Sequence, residues 1–143
     1  MKRADINENL LKIVSNILEA SPVIFAYVYG SIALDLAHPF SDLDVAIYVP
    51  RLSIREKMDL EMSLSLEIDK NLKSAPPSDV RIINDLPIAV AGQIVTDGIL
   101  VYCRDDHVRI DYETSIRKAY FDFLPVINNY QRRYLEQMNA LIP

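Results

Sequence analysis

The sequence predicts a mixed α/β (α+β) fold, in which a small mixed sheet of about four strands is flanked by helices. Four short segments are rich in β-branched, aromatic or other apolar residues, and helical periodicity dominates much of the chain around them. The last third of the chain has the period of a long helical segment. The 143 residues, half of them hydrophobic, fit one domain that spans residues 1–143.

The first predicted helix covers Ile6–Ala20, where apolar side chains recur with the helical period and Asp5 can cap the amino end. The residues Val23–Tyr29 are mostly β-branched or aromatic and predict a buried strand. Gly30 follows this strand and is suited to a turn. The stretch that begins at Ser31 is long enough for about two helical turns, with Ser31 near the N-cap.

The middle of the chain predicts a strand, a long helix and another strand. Leu43–Val49 has the apolar composition of a strand. Ser53 and Glu56 have the spacing of a capping box at the start of a helix that continues to about Lys73. After a proline-rich loop, Asp79–Ile83 runs from an acid into apolar residues and is predicted to be the third strand.

The remainder predicts a short helix, a fourth strand and a long helical segment. Pro87 lies near the first turn of the short helix and Gly98 just after its end. Ile99–Cys103 predicts a buried strand. The helical pattern continues from His107 to Leu141, and Pro125 is expected to kink or split it. The apolar stripe of this segment consists of Val108, Tyr112, Ile116, Ala119, Tyr120, Phe123, Ile127, Tyr130 and Tyr134.

Charge and cysteine content limit the classes of function. A formal net charge of −5 argues against a broad nucleic-acid-binding face, so no direct nucleic-acid partner is expected. Cys103 is the only cysteine, which excludes an internal disulfide and suits the cytoplasm. No apolar run approaches the roughly 20 residues that span a bilayer, and the amino-terminal residues make a poor signal peptide, so no membrane partner is expected.

Two aspartates lie where the second strand begins. Residues two apart in a strand project to the same side, so Asp42 and Asp44 face one way and Leu43 faces the core. Adjacent carboxylates repel each other, and a divalent cation between them offsets that cost. Mg²⁺ takes oxygen ligands, and a pair of such ions can activate an attacking hydroxyl and hold the leaving oxygen of an in-line displacement.

Asp79, Gly30 and Ser31 complete the predicted site, and Arg81 is a candidate neighbour of it. If the third strand lies beside the second, Asp79 comes level with the aspartate pair and can bind a metal ion and act as general base. Arg81 shares a face with Asp79 and is expected to pair with an aspartate or to reach a phosphate. Gly30 lets the backbone approach a phosphate, and a helix that starts at Ser31 directs free N–H groups at the anion. The combination predicts a nucleotide site.

At these residues the chain resembles the DNA polymerase β-like nucleotidyltransferase superfamily. The signature of that superfamily is Gly-Ser followed by Asp-x-Asp, and here it reads GSIALDLAHPFSDLD. The small size and the lack of an added substrate domain look like the minimal nucleotidyltransferases (MNT), the antitoxins of the HEPN/MNT toxin–antitoxin modules. The motif match covers about Val23 to Ile83.

The resemblance implies the polymerase β-like nucleotidyltransferase fold and a role for each motif residue. Gly30 and Ser31 would bind the triphosphate of ATP, Asp42 and Asp44 would hold Mg²⁺ as two ions, and Asp79 would be the third carboxylate. Antitoxins of this group transfer AMP from ATP to a tyrosine of the cognate HEPN ribonuclease toxin. A hetero-oligomer with such a toxin is therefore expected.

Two alternatives stay open. Many relatives read Gly-Ser-x-Ala-Arg-Gly, whereas Leu34 and Asp35 stand here in place of the arginine and the second glycine. An acid at that position can weaken ATP binding, which would give a catalytically idle antitoxin that neutralises the toxin by binding alone. The other alternative is a nucleotidyltransferase that acts on a small molecule, and the lack of a second domain counts against it.

Overall fold

The computed structural model describes residues 3–30, 43–72 and 77–141, with side chains described from residue 8 onward. The strands in this part of the chain are β1 (Phe25–Tyr29), β2 (Leu43–Tyr48), β3 (Ser78–Ile82) and β4 (Ile99–Cys103). The helices are α1 (Arg3–Glu19), α2 (Ile54–Asn71), α3 (Ile88–Asp97) and α4 (Asp106–Ala140), with a short 3-10 turn at Ile83–Asp85. The helix predicted to start at Ser31 lies outside the described residues.

The strands form one mixed sheet in the order β3-β2-β1-β4. Strand β1 is antiparallel to both of its neighbours, whereas β2 and β3 are parallel. A parallel pair needs a crossover connection, and α2 provides it between β2 and β3. The predicted fold class, a small mixed sheet flanked by helices with a long carboxy-terminal helix, is confirmed.

Alternating residues of each strand pack against different helices. On one face of the sheet, Leu43, Val45 and Ile47 belong to the same buried cluster as residues of α1 and α2. On the other face, Phe25 and Ala46 share a cluster with residues of α3, and residues of α4 pack against it. Because strand side chains alternate, the charged residues of β2 and β3, which are Asp44, Asp79 and Arg81, lie on the α3/α4 face.

Helix α2 begins at the predicted capping box. The backbone N–H of Glu56 donates to Ser53 Oγ at 3.2 Å, and the N–H of Ser53 donates to Glu56 Oε1 at 3.4 Å. These bonds satisfy backbone donors that have no partner within the helix. The start of α2 is therefore determined by local sequence.

A polar row on α2 binds the outer edge of β3. The N–H groups of Ile82 and Ser78 donate to Glu61 Oε2 at 3.0 Å and to Asp69 Oδ1 at 2.7 Å. Between them, the Ser65 hydroxyl donates to the Ser78 carbonyl at 2.8 Å. An edge strand otherwise leaves such groups unpaired, so this row both shields the edge and holds β3 in place.

The first half of α4 is anchored on the α3/α4 face of the sheet. The ring of Tyr112 lies 5.6 Å from that of Phe25 and 4.9 Å from that of Tyr48, measured between centroids. Glu113 is the one buried charged residue among those described, and it pairs with Arg109 one turn earlier. Pairing is what makes a buried carboxylate tolerable, and nothing in the sequence analysis anticipated this burial.

One expectation about the last part of the chain is wrong, and of the two effects expected of Pro125 the split of the helix does not occur. Strand β4 lies at an edge of the sheet and Leu100 is 40% exposed, so β4 is not a fully buried strand. Helix α4 continues through Pro125 without being split. Proline removes one backbone hydrogen bond, that to the carbonyl of Phe121, and Phe121 lies at the surface where water can replace it. The stripe beyond Pro125 is also largely exposed, with Tyr130 75% accessible.

No helix in the described residues combines the length and apolar composition needed to cross a bilayer.

The contact between α2 and the β3 edge gives a first prediction. Asp69→Ala leaves the Ser78 N–H without its charged acceptor, and we expect it to lower the free energy of unfolding by about 1–3 kcal/mol. Chemical denaturation measures the change. Asp59→Ala is the control, because Asp59 is an exposed acid of the same helix, and its effect should stay within about 0.5 kcal/mol. Equal effects of the two substitutions would contradict the role of Asp69.

Candidate functional site

Tyr29, Asp44 and Asp79 occupy one row across three strands, which we call the acidic row after its two aspartates. Asp44 is paired with Tyr29 on the antiparallel strand β1 and with Asp79 on the parallel strand β3. Neighbouring strands lie about 4.7–4.9 Å apart, so the three side chains rise next to each other from the same face. Asp79 is therefore level with Asp44, which is the placement that the sequence suggested on condition that the two strands were neighbours.

Gly30 passes directly over the carboxylate of Asp44. Its φ angle is 78°, in the left-handed region that side chains disfavour. A Cβ atom added to Gly30 would collide with Asp44 Oδ2. The positive φ angle therefore selects glycine here, and the turn after β1 lies in contact with the carboxylate of Asp44.

The hydroxyl of Tyr29 lies in the field of the two aspartates. Burial, followed by the negative charge of Asp44, raises the pKa of Tyr29 to about 12, and Asp79 contributes in the same direction. Tyr29 is consequently a neutral hydrogen-bond donor at pH 7. In the sequence, Tyr29 is predicted only as the last residue of a strand, although its position directly before Gly30 is a usable signal.

Arg81 forms an ion pair with Asp79. Arg81 Nε lies 3.1 Å from Asp79 Oδ2, and the two side chains are 56% and 45% exposed. Of the two roles expected for Arg81, the ion pair with an aspartate is the one observed. The third carboxylate of the predicted site therefore has a cationic partner within its own strand.

The described part of the site supplies two of the three predicted carboxylates. Ser31 and Asp42 lie outside the described residues, as do Leu34 and Asp35, so their roles stay predictions. Within the described ranges no three His, Cys, Asp or Glu side chains gather as a metal site. Asp44 and Asp79 nevertheless offer carboxylate oxygens from adjacent strands, the ligand type that suits Mg²⁺, and Asp42 directly precedes β2.

A cavity of about 440 Å³ lies between α3 and α4, and Tyr29 and Gly30 are part of its lining. Three amide side chains also line it: Gln93, Asn128 and Gln131. Apolar groups of Tyr120, Leu124 and Ile127 complete the α4 side. Such a lining can pack against a flat ring and hydrogen-bond to its edge.

The sequence analysis assigned this part of α4 to an apolar stripe and missed the amides. Asn128 and Gln131 are three residues apart and therefore lie on one side of the helix. Gly92 of α3 permits the close packing of the two helices, because a Cβ there would collide with the Tyr120 ring. The sequence signal for these amides is the helical spacing of Asn128 and Gln131 next to the apolar stripe.

Comparison with protein families gives one domain match. The model of the family "Polymerase beta, Nucleotidyltransferase" matches residues 12–107, about two thirds of the chain. The matched range includes Gly30, Ser31, Asp42, Asp44 and Asp79. No curated protein matches the chain significantly.

Solved structures similar to this one are chains of toxin–antitoxin complexes. A complex crystallised with AMP-PNP has a chain that is 15% identical, with a TM-score of 0.61 over 92% of this chain and 98% of that chain. The similar chain of the MntA–HepT complex is 12% identical, with a TM-score of 0.58 over 92% of this chain and 97% of that chain. The complex of the tri-AMPylated HEPN toxin of Shewanella oneidensis with MNT antitoxin has a chain that is 15% identical, with a TM-score of 0.57 over 87% of this chain and 98% of that chain. Because these sequence identities are low, the likeness to the solved structures establishes the fold alone.

The contact of Gly30 with Asp44 predicts how substitutions at Gly30 behave. Gly30→Ala adds both backbone strain and the collision, and we expect about 1–3 kcal/mol of destabilisation in chemical denaturation. Gly30→Asn separates the two causes, because asparagine tolerates the left-handed region but carries a Cβ. We expect both variants to be destabilised. Wild-type stability of Gly30→Asn would show that the collision with Asp44 is unimportant.

The surroundings of Tyr29 predict a pH dependence. The pKa of Tyr29 is raised from its ordinary value of 10.0 to about 12 in the folded chain, so its neutral form is favoured by folding. Its contribution to stability is complete below pH 10 and is lost as the pH rises towards 12. Asp44→Asn should lower the pKa of Tyr29, measured as the phenolate absorbance absent in Tyr29→Phe. Asp59→Asn is the control, and an unchanged pKa in Asp44→Asn would contradict the proximity of the two groups.

Proposed function

Because the chain belongs to the polymerase β nucleotidyltransferase family, we propose that it is an Mg²⁺-dependent protein adenylyltransferase. It transfers AMP from ATP to a tyrosine of a cognate HEPN ribonuclease toxin and thereby acts as the antitoxin of a toxin–antitoxin pair. Residues 1–143 act as one minimal nucleotidyltransferase domain. The observation that carries the proposal is the pairing of Asp44 with Asp79 on adjacent strands, directly beneath the Gly30 turn.

The acidic residues hold the metal ions in this proposal. Asp42, Asp44 and Asp79 are the ligands, since all three project from strand ends or directly precede a strand. Bound Mg²⁺ supplies neutralisation of the triphosphate charge and activation of the attacking hydroxyl. Gly30 and Ser31 bind the triphosphate through the backbone amides of the turn and the Ser31 hydroxyl.

The chemical step is an in-line displacement at the α-phosphorus of ATP. The tyrosine hydroxyl oxygen of the acceptor forms a bond to phosphorus, and the bond from phosphorus to the bridging oxygen breaks, so that pyrophosphate leaves with the electron pair. Asp79 is the general base that accepts the hydroxyl proton. The neutral Tyr29 hydroxyl lies in the same row and can donate a hydrogen bond to a phosphate oxygen.

The cavity between α3 and α4 accommodates the nucleoside. It reaches Tyr29 and Gly30, so a ligand with its phosphates at the Gly30 turn can place its base between the two helices. The Tyr120 ring and neighbouring apolar groups pack against the base. Gln93 and Asn128 offer hydrogen bonds to its edge.

The similar structures support the choice of partner. They come from toxin–antitoxin complexes, one of which is an MNT antitoxin with an AMPylated HEPN toxin and another of which contains AMP-PNP. We therefore propose a hetero-oligomer with a HEPN toxin in the cytoplasm, without a nucleic-acid or membrane partner.

Transfer of label from ATP tests the activity. With Mg²⁺ and the protein that the adjacent gene encodes, the wild-type chain should label a tyrosine of that protein if it is the HEPN partner. Asp44→Asn and Asp79→Asn should each lower the rate at least about 100-fold, because each removes a metal ligand. Asp59→Asn, on the opposite side of the sheet from the acidic row, should retain the full rate.

Toxin neutralisation separates catalysis from docking. If transfer is the mechanism, Asp42→Asn/Asp44→Asn should fail to silence the toxin while still binding it. Full neutralisation by this double variant, with no label transferred by the wild type, would instead establish the idle antitoxin that Leu34 and Asp35 leave open.

A further inference from the structure

We propose that Arg81 has two roles in succession: it neutralises the acidic row while no metal ion is bound, and it contacts the phosphates of the nucleotide once metal ions have replaced it. Arg81 is thus a positioning residue in the first state and a nucleotide-binding residue in the second. The inference rests on the proposed function, because it concerns the same site.

The position of Arg81 directs its side chain to the acidic row. It lies two residues after Asp79 on β3 and therefore projects from the same face. Its neighbour on β2 is Ala46, whose small side chain does not obstruct the space above the sheet. The guanidinium turns back along the strand, and Nε lies 3.1 Å from Asp79 Oδ2.

The charge of Arg81 acts on more than one member of the row. The negative charge of Asp79 is the main cause that raises the pKa of Arg81, and Asp44 contributes in the same direction. Arg81 in turn opposes the effect of the aspartates on the Tyr29 hydroxyl. One guanidinium therefore offsets part of the repulsion between two carboxylates on adjacent strands.

The contact is suited to exchange. Arg81 is 56% exposed and Asp79 is 45% exposed, and a pair of this exposure contributes only about 0–1 kcal/mol. A divalent cation at the carboxylates carries twice the charge and competes for the same Asp79 oxygens. Among the residues that the structure describes, the guanidinium bonds only Asp79 and only through Nε, so its two terminal NH₂ groups can act as donors of the geometry that fits phosphate oxygens.

Removal of Arg81 should therefore change two affinities in opposite directions. Without its competing charge, the carboxylates should bind a divalent cation more tightly. Without its donors, the site should bind the nucleotide more weakly. An ion pair that served only to stabilise β3 would weaken both affinities or change neither.

Calorimetric titration distinguishes these cases. Mn²⁺ alone is titrated into the wild type, Arg81→Ala, Arg81→Lys and Arg55→Ala, and AMP-PNP is then titrated at saturating Mg²⁺. For Arg81→Ala we expect Mn²⁺ to bind about two- to five-fold more tightly and AMP-PNP about ten-fold more weakly. Arg81→Lys should bind Mn²⁺ like the wild type and AMP-PNP with intermediate affinity. Arg55, an exposed residue of α2, is the matched control and should change neither.

Two results would overturn the inference: an Mn²⁺ affinity that is unchanged or weaker in Arg81→Ala, or an AMP-PNP affinity that is unchanged. Should Arg81→Ala fail to fold, Arg81→Gln is tested with the same expectations, because it keeps the length of the side chain without its charge. Failure of the proposed function has a different signature, in which the wild type itself binds neither Mn²⁺ nor AMP-PNP.

Discussion

The parallel pairing of β2 with β3 places two carboxylates side by side, and the surrounding structure accommodates that unfavourable contact. The pairing requires the crossover helix α2, and the polar row of α2 in turn holds the free edge of β3. Arg81 supplies a positive charge that pairs with Asp79. Gly30 leaves the space above Asp44 that any side chain would fill. The close placement of Asp44 and Asp79, on which the proposed site depends, follows from the placement of β3.

Local signals in the sequence accounted for much of this architecture. The capping box of Ser53 with Glu56 marks the start of α2 because its hydrogen bonds join residues three apart. The sequence places Asp44 on the face of β2 opposite to Leu43, because an apolar Leu43 is expected to face the core. Leu43 is indeed fully buried. The position of Asp79 could be stated only conditionally, since it depends on which strands become neighbours, and no short segment encodes that choice.

What the sequence did not reveal depends on distant contacts. Strand β4 has the composition of an interior strand, yet it lies at an edge, because edge position is a property of the whole sheet. Glu113 looks like an ordinary surface acid of a helix until α4 packs on the sheet beside Tyr27, whose pKa its charge raises after the larger effect of burial. The amides of the cavity belong to two helices, so neither segment alone indicates them.

Pro125 gives α4 a point of low bending stiffness at a particular place. Tyr120 precedes this point and Asn128 and Gln131 follow it, so the α4 wall of the cavity spans the joint. The half of α4 beyond Pro125 is largely exposed. A displacement of this half changes the width of the cavity between α3 and α4. Access to the cavity beside Gly30 therefore depends on how α4 bends at Pro125.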